Sequence, residues 1–203
     1  MTTSATPQVG LRERKKARTR ASLRDHALRL FREQGYQATT VEQIAAAAEV
    51  SPSTFFRYFP TKEDLILQDD LDVRMLEAFS RQPAGLAPVA AIRAATKEAL
   101  TSFGYADMEQ IRETIRLTMT VPEIRVRAMD EFARTIEVIA GAIGKRVGRS
   151  PDDLAVRTLA GAVVGVIMSV TVPWQERLAE EPAEEMFTRI DAALAQLEAG
   201  LPL

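Results

Sequence analysis

Five prolines stand at the starts of apolar stripes with helical spacing, and this punctuation constrains the fold more than any other feature of the chain. Pro52, Pro88, Pro122, Pro151 and Pro182 each precede apolar residues recurring at intervals of three and four. Proline is tolerated in the first turn of a helix, where its missing N–H would have no partner, and breaks a helix or strand elsewhere. The intervening stripes include Leu23, Ala27, Leu30 and Phe31; Ile111, Ile115 and Met119; Phe132, Ile136, Ile139 and Ile143; and Met186, Ile190, Leu194 and Leu197. No segment alternates with a period of two, so the chain is predicted to be all-α with about nine helices.

Helix ends are marked as clearly as the starts. Gly35, Gly104 and Gly148 follow last turns, and glycine is the preferred residue there. Thr40 with Gln43 three residues on forms a capping box, Ser51 precedes Pro52 as a cap, and Thr61 with Asp64 repeats the pattern. Ser150-Pro151-Asp152-Asp153 combines a cap, a first-turn proline and an acidic first turn. Residues 1–10 carry little to bury and are expected to form a disordered tail, followed by domains at 11–60 and 61–203.

Composition excludes most catalytic classes. The 203 residues contain no Cys and one His, which leaves no thiol nucleophile, zinc ribbon, iron–sulfur site or disulfide scaffold. Asp152-Asp153 and Glu184-Glu185 read as first-turn helix acids rather than paired catalytic carboxylates. No enzyme activity, cofactor or metal is expected. Residues 159–173 form the longest apolar run, too short for a membrane span and read as a buried helix. A cytoplasmic protein without a membrane partner follows.

The net charge of −2 conceals a strong asymmetry. Residues 1–60 hold ten basic and five acidic groups, a charge of +5, whereas residues 61–203 hold 16 basic and 23 acidic groups, a charge of −7. A basic head on an acidic body points to nucleic acid at one end. The spacing within 40–59 agrees. A two-turn helix, a break at Glu49-Val50 and a second short helix form the layout of a helix-turn-helix, whose second helix enters the major groove. Phe55 and Phe59, four residues apart, are expected to anchor that helix inward. Ser51, Ser53, Thr54, Phe56, Arg57 and Tyr58 then supply hydroxyls, an aromatic edge and a guanidinium that suits a guanine edge. Thr40 and Lys62 at helix N-termini suit phosphates, and a basic tail including Arg18 and Arg20 could follow the backbone or enter a minor groove. The alternative is an all-α ligand-binding or adaptor protein without sequence-specific DNA binding.

The stretch ARTRASLRDHALRLFREQGYQATTVEQIAAAAEVSPSTFFRYFPTKEDLI, residues 17–66, closely resembles the DNA-binding region of TetR-family transcriptional regulators. Gly-Tyr before Ala-Thr-Thr, the alanine-rich helix, Val-Ser in the turn and Phe-Arg-Tyr-Phe-Pro-Thr-Lys-Glu-Asp-Leu all fall in register. The resemblance implies DNA contacts from Thr40, Ser51, Ser53, Thr54, Phe56, Arg57, Tyr58 and Lys62. Two positions depart from many members, which carry Tyr in place of Phe56 and Gly in place of Ser53.

The resemblance also implies a homodimer on double-stranded DNA, most simply a repressor on a pseudo-palindromic operator, released by a small apolar or amphipathic effector. The last two helices would pair with a second copy through Gly161, Val164, Gly165 and Met168 and through Met186, Ile190, Leu194 and Leu197. The middle helices would enclose the effector with Phe79, Phe103, Met108, Ile115, Met119, Met129, Phe132, Met168 and Trp174, adaptable apolar groups suited to a cavity. Asp69-Asp70, Pro122 and Trp174 resemble the branch associated with acyl-CoA-like ligands. In that branch Arg112, Arg116, Arg125 or Arg127 would meet a ligand phosphate or carboxylate.

Overall fold

A computed structural model of the chain describes residues 10–67, 71–102, 104–174 and 181–202. Residues 1–9 of the tail expected at 1–10 and the effector residue Phe103 lie outside the described residues, as does the side chain of Trp174. Among the described residues all regular structure is helical, in ten helices. They are α1 (Leu11–Gln34), α2 (Val41–Ala47), α3 (Pro52–Tyr58), α4 (Asp64–Leu67), α5 (Leu71–Arg81), α6 (Pro88–Ser102), α7 (Tyr105–Thr120), α8 (Pro122–Val147), α9 (Leu154–Trp174) and α10 (Ala183–Glu198). The start signal at Thr61 and Asp64 opens α4, and residues 68–70, between α4 and α5, lie outside the described set.

The chain divides into two compact units between Leu65 and Ile66. In the first unit, the predicted caps set the helix starts. Gln43 N donates to Thr40 Oγ1 at 3.2 Å while Thr40 N donates to Gln43 Oε1 at 2.9 Å, a reciprocal capping box. Ser51 Oγ accepts from Thr54 N at 3.1 Å. Thr61 N donates to Asp64 Oδ2 and Asp64 N to Thr61 Oγ1, at 3.0 and 3.2 Å. Each bond satisfies an amide that the helix itself leaves without a partner. The turn between α2 and α3 passes through Glu49 at φ +55°, a left-handed conformation that a non-glycine residue adopts only under constraint. Leu23, Ala27, Phe31, Ile44, Ala45, Phe55 and Phe59 are buried. Phe55 and Phe59 hold α3 inward as the four-residue spacing predicts.

In the second unit α8 packs on α9, α9 on α10, α10 on α6, α5 on α6 and α7 on α8. One apolar cluster joins Val89, Met108, Ile111, Val163, Met186, Phe187, Ile190 and Leu194, and a second joins Ala78, Phe79, Ala91, Ala95, Ala140, Ile143, Val156 and Ala160. Two start signals shift. Pro151 lies in a turn, and Asp153 caps α9 instead, its Oδ1 accepting from Ala155 N and Val156 N at 2.9 and 3.3 Å. Pro182 is the N-cap residue of α10 rather than its first helical residue. α8 ends as expected, with Gly148 left-handed at φ +68°.

Candidate DNA-reading surface and ligand cavity

The reading surface is built on α3. With Phe55 and Phe59 buried, the helix turns Ser53, Phe56 and Arg57 to solvent. Phe56 is 50% exposed, its ring edge-on to Phe55 with centroids 5.4 Å apart. An aromatic side chain half in water on a short helix is available to a partner. The Arg57 guanidinium lies 5.3 Å from the centre of the Tyr58 ring. Ser51 Oγ lies 2.8 Å from Ser53 Oγ and 3.0 Å from Thr54 Oγ1, so three hydroxyls gather where α3 begins. Thr40 is exposed at the start of α2.

Three cationic side chains serve the architecture of this unit. Lys62 Nζ donates to Tyr36 O and Thr39 O at 2.9 and 3.0 Å and sits 3.9 Å from the centre of the Tyr36 ring. An ammonium has three donors, and two of these are used to hold the α1–α2 loop that carries Thr40. Lys62, expected to meet a phosphate, thus also braces this loop. Arg20 Nη1 donates to Tyr58 O at 3.3 Å and its guanidinium covers Phe59 at 4.6 Å, fastening α1 to the end of α3. The buried Arg24 donates through Nε to Leu65 O at 3.1 Å. Sequence spacing conceals all three roles, because their partners lie 23 to 41 residues away. The basic run including Arg18 belongs to the first turns of α1 and is exposed there, not to an extended tail.

Glu63 completes the brace. Burial acts to raise its pKa, but the hydrogen bond from the Tyr36 hydroxyl, together with bonds from its own backbone and Thr61 and the charge of Lys62, outweighs burial and lowers it. The carboxylate thus remains ionised beside Lys62 and Tyr36.

The second unit forms a partly open cavity of about 470 Å³, within the range that suits a drug-sized ligand. Its walls come from α5, α6, α7, α8, α9 and α10, chiefly aliphatic residues with Phe79 and Phe187 and the polar residues Thr96, Thr114, Glu131, Arg134, Thr135 and Thr171. Phe79 and Ile115 line it as expected. Met108 is instead buried in the first apolar cluster; Met119, Phe132 and Met168 are partly buried outside the lining, and Met129 is 63% exposed. The threonines escaped the sequence reading because an isolated threonine on an apolar stripe carries no signal of what it faces.

The supposed phosphate binders are also elsewhere. Arg112 Nη2 donates to Glu181 O at 2.8 Å, Arg116 is held through two bonds by Glu113, and Arg125 and Arg127 are exposed. The Glu113 bonds raise the pKa of Arg116 against burial.

The predicted dimer stripe on the last helix is corrected as well. Met186, Ile190 and Leu194 are buried within the protomer and Leu197 packs on the same cluster. Val164 is likewise buried. α9 behaves differently from the fully buried helix expected. Leu154–Pro173 is long and apolar enough for a membrane span, with mean hydropathy 1.9, yet only 22% of that window is buried. One side carrying Val156, Ala160, Val163 and Val164 packs inward, while Gly161, Gly165 and Met168 lie on the more open side. Cβ atoms built at Gly161 and Gly165 meet nothing within 4 Å.

A capped helix, a constrained turn and a second helix with outward polar and aromatic groups define a DNA-binding helix-turn-helix protein; the cavity adds a ligand-binding body. Comparison with known proteins agrees with both parts. Residues 23–68 match the model for bacterial regulatory proteins of the tetR family, and residues 86–202 match the MftR C-terminal domain. The chain belongs to the TetR family of transcriptional regulators, which are ligand-responsive DNA-binding proteins. It is 33% identical to the HTH-type transcriptional regulator TcmR of Streptomyces glaucescens over 98% of this chain and 92% of that one. It is 31% identical to the HTH-type transcriptional regulator RutR of Escherichia coli K12 over 70% of this chain and 58% of that one. The fold is similar to that of Thermus thermophilus FadR, a transcriptional repressor solved with lauroyl-CoA, with TM-score 0.58, 23% identity and coverage of 91% and 95% of the two chains.

Proposed function

We propose that this regulator is a cytoplasmic repressor that binds a pseudo-palindromic operator as a homodimer and leaves it when a small, mainly apolar molecule fills the cavity. The observation that carries this reading is the contrast between the two units: solvent-facing Ser53, Phe56 and Arg57 on α3, and an apolar cavity within the body. In the proposed complex α3 lies in the major groove. Arg57 reads a base edge, Phe56 meets a thymine methyl, and Ser51, Ser53, Thr54 and Tyr58 supply hydroxyls. Thr40 and the exposed Arg18 contact phosphates, and Arg20 steadies the end of α3.

The open side of α9, with Gly161, Gly165 and Met168, is the proposed meeting surface of two copies. Small residues there let helix backbones approach closely, and a twofold pair would place reading helices one helical turn of DNA apart, roughly 34–36 Å. The effector acts by binding better to the conformation that fits DNA less well, which lowers operator affinity by the same factor. Selection of bound fragments from genomic DNA, followed by sedimentation of the protein with the selected site, tests the reading. The expected result is an inverted repeat occupied by two copies. Recovery of unrelated sequences, or one copy on a single unrepeated site, contradicts it.

A further inference from the structure

We infer that the cavity takes an uncharged, largely apolar molecule that donates a hydrogen bond through a hydroxyl or N–H, and that it discriminates against anionic ligands. This rests on the reading of the cavity as the effector site, and adds the ligand's charge and hydrogen-bonding sense.

Two of the four threonines in the lining have a fixed hydrogen-bonding sense. Thr96 and Thr171 both line the cavity, and each hydroxyl donates to the carbonyl four residues earlier, to Ile92 O and Ile167 O at 3.0 Å. A hydroxyl has one proton and two lone pairs. With that proton committed to the helix, these oxygens offer the cavity acceptors alone. A ligand carbonyl or carboxylate gains nothing from them, whereas a phenol, alcohol or N–H does.

Charge points the same way. Among the described lining residues the charged side chains are Glu131 and Arg134, with Arg134 Nη1 3.3 Å from Glu131 Oε1. The Arg134 side chain is 65% exposed and that of Glu131 23%. The more enclosed charge is therefore a carboxylate, which accepts hydrogen bonds. It is also already compensated by Arg134, so a ligand cation meets no net negative charge. The remaining walls are chiefly aliphatic, where an unpaired anion loses its hydration without replacement.

A matched pair of dyes tests this. N-phenyl-1-naphthylamine and 1-anilinonaphthalene-8-sulfonate share a ring system and an N–H and differ by one sulfonate. Titration of the full chain, followed by dye fluorescence, should show the neutral dye binding at least about tenfold more tightly. Ile115→Trp and Leu76→Trp, each placing bulk in the cavity, should weaken the neutral dye by about tenfold or more. Thr96→Val and Thr171→Val keep the shape and remove an acceptor, and each should weaken it by about threefold. Equal or tighter binding of the sulfonate dye, lost in the tryptophan variants, overturns the inference while keeping the cavity as the ligand site. Unchanged neutral-dye affinity in tryptophan variants that retain native circular dichroism instead overturns the reading on which it rests. Should those variants fail to fold, sulfonate preference or unchanged affinity in both valine variants still refutes the inference.

Discussion

The reading unit and the ligand-binding body are held together by different means. In residues 11–65, side chains bind backbone at the helix caps and at the joints between helices: Thr40, Ser51 and Thr61 cap helices, Lys62 holds Tyr36 and Thr39, Arg20 holds Tyr58, and Arg24 holds Leu65. The body relies on apolar stripes converging from several helices and leaves a cavity of about 470 Å³ among them. Directional bonds to backbone maintain one conformation, which suits a surface that must match a groove. Aliphatic walls around a void repack at low cost, which suits a site that must answer a ligand.

The largest predicted effect separates the units. Phe55 is fully buried beneath α3, and Phe55→Ala should destabilise the reading unit by about 3–5 kcal/mol. Operator binding should vanish while the neutral dye still binds the body. Loss of both would break the contrast drawn between the units. Lys62→Met should cost about 1–3 kcal/mol by leaving two loop carbonyls without their partner, read as a lower melting temperature with the salt dependence of DNA binding retained. An unchanged melt with a shallower salt slope would make Lys62 a phosphate contact rather than a brace.

Two glycines sharpen the comparison within the body. A Cβ at Gly144 would lie 2.7 Å from Arg149 O, so Gly144→Ala should cost about 1–3 kcal/mol by overpacking. Gly165→Ala meets open space and should favour the isolated helix by up to about 1 kcal/mol. Weaker self-association of that variant in sedimentation, despite the same or higher melting temperature, would place Gly165 where copies meet; unaltered self-association would remove it.

The smallest effect concerns acid stability. Hydrogen bonds from Arg93, opposed by burial and aided by Lys97, lower the pKa of Asp191 below its ordinary 3.8. A carboxylate with a depressed folded-state pKa stabilises fully above the ordinary value and loses that contribution as pH falls through the depressed one. Asp191→Asn should therefore cost about 0.2–1 kcal/mol near neutrality and flatten the stability profile below about pH 4. An equally steep acid limb in the variant would count against this linkage.

What could be read in the sequence follows the same division. Thr40 with Gln43 and Thr61 with Asp64 are pairs three residues apart, so the capping geometry is local and visible in the chain. The burial of Phe55 and Phe59 follows from their spacing once α3 is recognised. Periodicity on α10 revealed that Met186, Ile190 and Leu194 are buried, but not whether the burying surface belonged to the same chain or a second copy. Likewise Thr96 and Thr171 become cavity residues only when several distant helices converge. The target of Lys62 was concealed because it is loop backbone, which no residue type identifies.

The central claim is that α3 reads DNA sequence through its exposed side chains, and Arg57 tests it most directly. Fluorescence anisotropy of the wild type and Arg57→Ala should be compared on the selected operator and on unrelated duplex at one salt concentration. A loss of about 1–3 kcal/mol on the operator, roughly 5- to 150-fold, with little change on unrelated DNA, is the predicted result. Equal losses on both duplexes, or none on the operator, would contradict it.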